Sequence, residues 1–266
     1  RYVKISGSYT KNGRSWATAK NDLQAAITDL YAYLQEHTEY SSGSIYVGAG
    51  TYKPSETTET DGGGLQYTAF KIYPGIHIYG GFRDDETRDD AVPYNADGTL
   101  NETYRPIDHS LPPLESGQAA KAQPWNFVNP TILSGSHNST PTFTFDAVHG
   151  TYTTIFPGNS YHVVWFATEG FIPVTVSDDE KNHALPLSSP ASVDGCTITG
   201  GSASNRNTNE REHAAYGGGA YLVGNATLSR CVVYNCEATM RGGGVYLDGG
   251  GQVDKCFVHT CQAMGV

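Results

Sequence analysis

The stretch "GGGAYLVGNATLSRCVVYNCEA" at residues 217–238 returns as "GGGVYLDGGGQVDKCFVHTCQA" at residues 242–263. The offset is 25 throughout, so Cys231 answers to Cys256, Cys236 to Cys261 and Ala238 to Ala263. Within each copy apolar residues alternate with tyrosine: Ala220 and Leu222 flank Tyr221, and Val245 and Leu247 flank Tyr246. A period of two is the signature of a strand. Two short strands and a Gly-rich corner within one such unit leave no room for a helical crossover. They fit one coil of a β-solenoid, in which each coil pairs with the next and buries one face. Equivalent residues then stack one strand spacing apart, about 4.8 Å.

Upstream, "VDGCTITGGSA" (193–203) aligns with "LSRCVVYNCEA" (228–238) at an offset of 35, with the polar run "SNRNTNEREH" (204–213) inserted at one turn. The resulting columns account for all five cysteines: Cys196, Cys231 and Cys256 in one, Cys236 and Cys261 in the other. No C-x-x-C pair occurs, so tetrahedral zinc and thioredoxin-type chemistry lack their spacing. Cysteine packs as a small apolar residue, and both columns are expected to be inward-facing ladders rather than disulfides. The glycine triplets are expected where the chain turns a corner and backbones approach closely.

The N-terminal third is less regular. Leu23, Ile27, Leu30 and Leu34 in "NDLQAAITDLYAYLQEH" (21–37) have helical spacing, and Asn21 with Gln24 reads as a capping box. Strands are expected in 44–54, 70–82, 131–135, 143–145 and 161–167. In the second of these, Ile76 and Ile78 alternate with His77 and Tyr79. Long insertions are expected at 83–130, 136–158, 168–190 and 204–213. The reading is a single all-β domain over 1–266, with a helical cap region at 15–40 and coils over 44–266. The repeat breaks off in mid-phrase at "CQAMGV", which predicts further coils beyond Val266.

The chain has 266 residues and a formal charge of −10. That charge argues against nucleic acid, whose phosphates call for Lys and Arg, and against anionic membrane surfaces. No apolar run is long enough to insert in a bilayer.

In order along the chain stand "GRSWATAKNDLQAAI", "IYVGAGTYKP", "FKIYPGIHIYGGF", "PTILSG", "NSYHVV", "VDGCTITGG" and "GGGAYL" with its following "C…NC". This succession resembles bacterial, Bacteroidetes-like secreted or surface proteins with a right-handed parallel β-helix. They are pectate-lyase-like in fold, with repeats similar to those of chlamydial polymorphic outer-membrane proteins. The resemblance implies an N-terminal helix capping the solenoid and an extracellular or cell-surface location. It does not imply one activity, because the same fold serves lyases, hydrolases and adhesins.

The candidate chemistry is sparse. The acidic run "FRDDETRDD" (82–90) offers Asp84, Asp85 and Glu86 as oxygen ligands for Ca²⁺, beside Arg83 and Arg88. Such a site would suit a polysaccharide lyase, but lyase ligands come from neighbouring coils and the reading as a solvated loop competes. Paired carboxylates for glycoside hydrolysis appear only as isolated Asp-Asp pairs at 84–85, 89–90 and 178–179. Nine scattered histidines, His77 and His162 among them, show no H-x-H or H-E-x-x-H spacing. Aromatic residues are the stronger signal. Tyr221 and Tyr246 are expected to stack outward on adjacent coils, with Tyr79 and Tyr46 outward on early strands and Trp165 and Trp125 near the long excursions. Exposed rings bind sugar faces or partner proteins, although ring ladders also stabilise sheets. The expectation is a secreted or surface module for adhesion or glycan binding, its partner a polysaccharide or a cell-surface protein. The alternative is a polysaccharide lyase or glycoside hydrolase.

Overall fold

The computed structural model describes residues 1–55, 65–110, 123–137, 159–166, 189–204 and 215–264, and the backbone of the strands Thr142–Asp146 and Thr151–Ile155. Most of the expected insertions at 168–190 and 204–213, and much of 136–158, lie outside the described residues, as do the Asp178–Asp179 pair and the end of the chain at 265–266.

The protein is built mostly of parallel β-sheet with one α-helix among the described residues. The first sheet runs Tyr2–Val3, Gly43–Gly48, Ile76–Phe82, Ala191–Asp194, Ala226–Ser229, Gln252–Asp254. The second runs Gly50–Tyr52, Thr131–Ser134, Cys196–Thr199, Val232–Tyr234, Phe257–His259. The third joins Ser202–Ala203, Glu237–Ala238 and Gln262–Ala263, and the fourth Phe70–Ile72, Val164–Phe166, Ala220–Val223 and Val245–Asp248. Spatial order equals chain order in all four. Each return of the chain therefore pairs with the return before it.

The repeat offsets are the pairing registers. Tyr221 pairs with Tyr246, Leu228 with Val253, Val233 with Val258 and Ala238 with Ala263. Across the longer offset Val193 pairs with Leu228, Ile198 with Val233 and Ala203 with Ala238. Leu222, Leu228, Val233 and Ala238 all point into one core. Each fully buried Leu or Val contributes about 1.5–3 kcal/mol through removal of apolar surface from water, so a slip by one residue would turn this whole set outward.

Left-handed residues turn the corners between sheets. Gly195, Arg230 and Lys255 occupy one column at φ 71, 48 and 51°, and Gly200, Asn235 and Thr260 the next at 77, 50 and 50°. The glycine triplets serve close approach as expected. A Cβ on Gly218 would stand 2.1 Å from the Glu237 carbonyl oxygen, and Gly217 itself has φ 64°. All five cysteines are free and line the core side.

The helix spans Leu23–Glu36 and buries Leu23, Ala26, Ile27, Leu30 and Leu34. It packs on the Gly43–Gly48 and Phe70–Ile72 strands, at the N-terminal end of the sheets. Its cap is Asp22, whose carboxylate accepts the Ala25 N–H at 3.0 Å, and not Asn21. Gln24 plays no part in a capping box. It is fully buried and its amide oxygen accepts the Lys71 N–H at 2.9 Å, tying the helix to the fourth sheet. The strand expected at 143–145 is present, and pairs antiparallel with Thr151–Ile155, a partner the sequence pattern did not reveal.

Candidate functional site

The expected aromatic column exists on the fourth sheet. Lys71, Trp165, Tyr221 and Tyr246 occupy successive register positions. The Tyr221 and Tyr246 rings lie 5.3 Å apart, and Tyr216 stacks on Tyr246 at 4.9 Å. Its exposure differs from expectation. Tyr221 is 3% exposed and Trp165 8%. Tyr246 is half-buried. His162 packs within 5.7 Å of both buried rings and bonds the Gly217 carbonyl at 3.0 Å. The Tyr221 hydroxyl donates to Asp248 Oδ2 at 3.0 Å, and burial followed by that carboxylate keeps the phenol protonated far above its ordinary range. Tyr221 and Trp165 thus form the floor of an aromatic patch whose reachable rings are Tyr246 and Tyr216.

Tyr79 stands apart from this patch. It lies on the first sheet in register with Tyr46 and Tyr2, in a cluster with Trp16 and Phe82. The segment 83–110 folds back over the same outer face. Its Arg105 is fully buried, donating to the Gly80 carbonyl at 2.6 Å and to Asp194. Asp194 is 1% exposed and also accepts from Tyr94 at 2.7 Å, from Ser229, and from Arg230 at 3.1 Å. Arg105 Nη1 has no hydrogen-bond partner among the described residues, and the guanidinium sits 4.8 Å from the Phe127 ring centroid, a cation–π contact. Burial raises the Asp194 carboxyl, but Arg105, Ser229 and Tyr94 together hold it below its ordinary value. Sequence pattern did not reveal this clamp, since Arg105 and Asp194 are 89 residues apart.

The acidic loop does not assemble the Ca²⁺ site considered for Asp84, Asp85 and Glu86. Asp85 forms a two-pronged pair with Arg83, both contacts 2.7 Å. Glu86 pairs with Arg88 at 2.8 Å and accepts the Thr87 and Arg88 backbone N–H groups at 3.0 Å. These bonds, that from the Arg88 side chain foremost, lower the Glu86 carboxyl to about 2. Asp84 Oδ1 accepts from Ser6 N at 3.4 Å. Among the described residues no group of three His, Cys, Asp or Glu is arranged to hold a metal. Arg83, Asp84 and Asp85 instead line an open cleft of about 470 Å³ with Pro106, Val128 and Asn129.

A second aromatic strip, not foreseen as a unit, crosses the outer side of the second sheet. Trp125 stacks on Phe257 at 5.7 Å and 17°, Phe257 on His259 at 4.6 Å and 26°, and His259 on Tyr234 at 5.5 Å and 6°. All four rings are half-buried. The strand part was legible, because Tyr234 and His259 are register partners at the 25-residue offset. Trp125 reaches Phe257 only through the path of its excursion. A polar cluster lies beside the fourth sheet: the Ser160 and Thr68 hydroxyls both bond His137 Nε2, at 2.9 and 2.8 Å. Ser160 is fully buried, and burial lowers the His137 pKa.

Comparison of the chain with protein-family models, with curated proteins and with solved structures finds no match. No helix among the described residues is long and apolar enough to cross a membrane.

Proposed function

We propose that this chain is a right-handed parallel β-helix module, secreted or held at a cell surface, that binds a glycan through a strip of aromatic rings. The right-handed sense is supported by the parallel ladders together with the general preference of crossovers between parallel strands for that hand. The observation that carries the binding reading is the strip of Trp125, Phe257, His259 and Tyr234, with near-parallel rings that solvent reaches. Rings of this kind pack against the C–H faces of sugars. Tyr246 and Tyr216 offer the same chemistry at the fourth sheet. The net charge of −10 favours a neutral or basic ligand over a polyanion.

The test is a glycan panel scored twice on the purified protein, for retention and for release of unsaturated or reducing-end products with and without Ca²⁺. Retention without product is expected, with Trp125→Ala and Phe257→Ala each weakening it about tenfold or more, the loss of one well-packed aromatic anchor. Product release would overturn the binding reading in favour of a lyase or glycoside hydrolase. Retention unchanged in both variants would move the site to Tyr246 and Tyr216.

A further inference from the structure

We infer that the last two repeats carry two thiol pairs, Cys231 with Cys256 and Cys236 with Cys261, each poised to close into a disulfide that staples one repeat to the next. The neighbours of each pair are register partners: Val232 opposite Phe257, and Glu237 opposite Gln262. The two cysteines of a pair are thus one strand spacing apart, about 4.8 Å, inside the window of about 4.4–6.8 Å between Cα atoms that disulfides occupy. The sulfurs are already engaged. Cys231 N–H donates to Cys256 Sγ at 3.3 Å, and each outer sulfur reaches back over its partner's strand, Cys256 Sγ donating to the Leu228 carbonyl at 3.4 Å and Cys261 Sγ to the Val233 carbonyl at 3.7 Å.

The pairs are asymmetric in a way that suits exchange. Cys231 and Cys236 are buried, whereas Cys256 and Cys261 are half-buried. Burial raises the inner thiol of each pair. The outer sulfur, less desolvated, is therefore both easier to ionise and more reachable, the two requirements for attack on a disulfide. With a small-molecule disulfide RSSR as oxidant, Cys256 thiolate forms a mixed disulfide and expels RS⁻, which takes a proton. Cys231, losing its proton, then attacks the Cys256 sulfur. The bond to R breaks and a second RSH leaves. Two protein thiols are oxidised and one RSSR becomes two RSH. Cys236 and Cys261 follow the same course. Cys196 remains a thiol, since it is buried and its other register neighbour is Thr131.

The experiment treats the folded full chain with excess oxidised glutathione, alkylates remaining thiols and maps peptides without reduction. The free-thiol count should fall from five to one, leaving Cys196. Cleavage after Arg230, Arg241 and Lys255 puts Cys231 and Cys236 on one peptide and Cys256 and Cys261 on another. The double variant Cys236→Ala/Cys261→Ala is therefore run alongside, and should still link Cys231 to Cys256. Five alkylated thiols, a stable glutathione adduct at Cys256 or Cys261 without closure, or links between separate molecules would each overturn the inference. Circular dichroism of the oxidised wild-type protein confirms that the counted state is folded.

Discussion

The repeat at 217–241 and the repeat at 242–264 say nearly the same thing in sequence and share one register, but within these 266 residues only the first has a further repeat stacked on its outer side. Leu222, Leu228 and Val233 of the first are fully buried, while their partners Leu247, Val253 and Val258 are 46, 41 and 45% exposed. The polar column diverges in the same way. Asp194 is buried among Arg105, Tyr94, Ser229 and Arg230, whereas Asp254, further along that column, is exposed and pairs with neighbouring Lys255. An alternating pattern decides which side of a strand faces inward. Whether that side becomes dry depends on a second layer being laid over it.

The comparison can be broken most forcefully at the aspartates. Asp194→Ala strands the fully buried Arg105 guanidinium, takes a partner from half-buried Arg230, and is expected to cost about 3–5 kcal/mol, read as a lower midpoint in urea denaturation. Asp254→Ala, which removes an exposed ion pair, should change stability by less than about 1 kcal/mol. The Asp194 variant should also differ from the parent protein under acid. Asp194 titrates below its ordinary value in the folded protein, so its contribution is complete above the ordinary carboxylate pKa near about 4 and is lost as pH falls below it. Melting temperature against pH should show a shallower acid limb in Asp194→Ala than in the parent protein. Equal effects of the two substitutions would mean that the clamp is not desolvated.

The apolar columns give a medium-sized test with identical chemistry at both ends. Val233→Ala deletes two buried methyl groups and should cost about 2 kcal/mol, at about 0.8 per group plus the cavity left behind. Val258→Ala should stay within about 0.5 kcal/mol. If Val258→Ala proves as costly as Val233→Ala, the outer repeat is covered in solution.

The smallest effect sharpens the comparison at the corners. Thr260 is β-branched and holds φ 50°, where Asn235 and Gly200 stand in the preceding repeats. That conformation suits Gly and Asn and strains a β-branched residue. Thr260→Asn should stabilise by about 0.5–1 kcal/mol, a rise of ~1–4 °C in melting temperature for a chain of this size. A fall would show that the exposed Thr260 hydroxyl contact with His259 Nδ1 at 3.0 Å contributes more than the strain costs.

Much of this architecture was legible along the chain. The offsets of 25 and 35, the cysteine columns, the strand at Ile76–Phe82 with Ile76 and Ile78 inward, and the helix face of Leu23, Ile27, Leu30 and Leu34 all appear in the structure. The cap was read one residue early, because Asn21 and Asp22 are both good caps and only the path of the backbone selects between them. The candidate site was read less well. Tyr221 and Trp165 occupy the right column but lie under other side chains, and Tyr79 belongs to another cluster.

What the sequence by itself determined, then, is periodic and local: alternation, repeat length, the register and the residues that share a column. Tertiary structure alone decided which columns are dry, which rings solvent reaches, and which carboxylate meets which arginine. The physical reason is that alternation is a property of neighbours in the chain, and a repeat writes it out many times. Desolvation of Asp194 by Arg105 or the stacking of Trp125 on Phe257 depends on where a non-repeating excursion returns to the sheet, and it leaves no period to read.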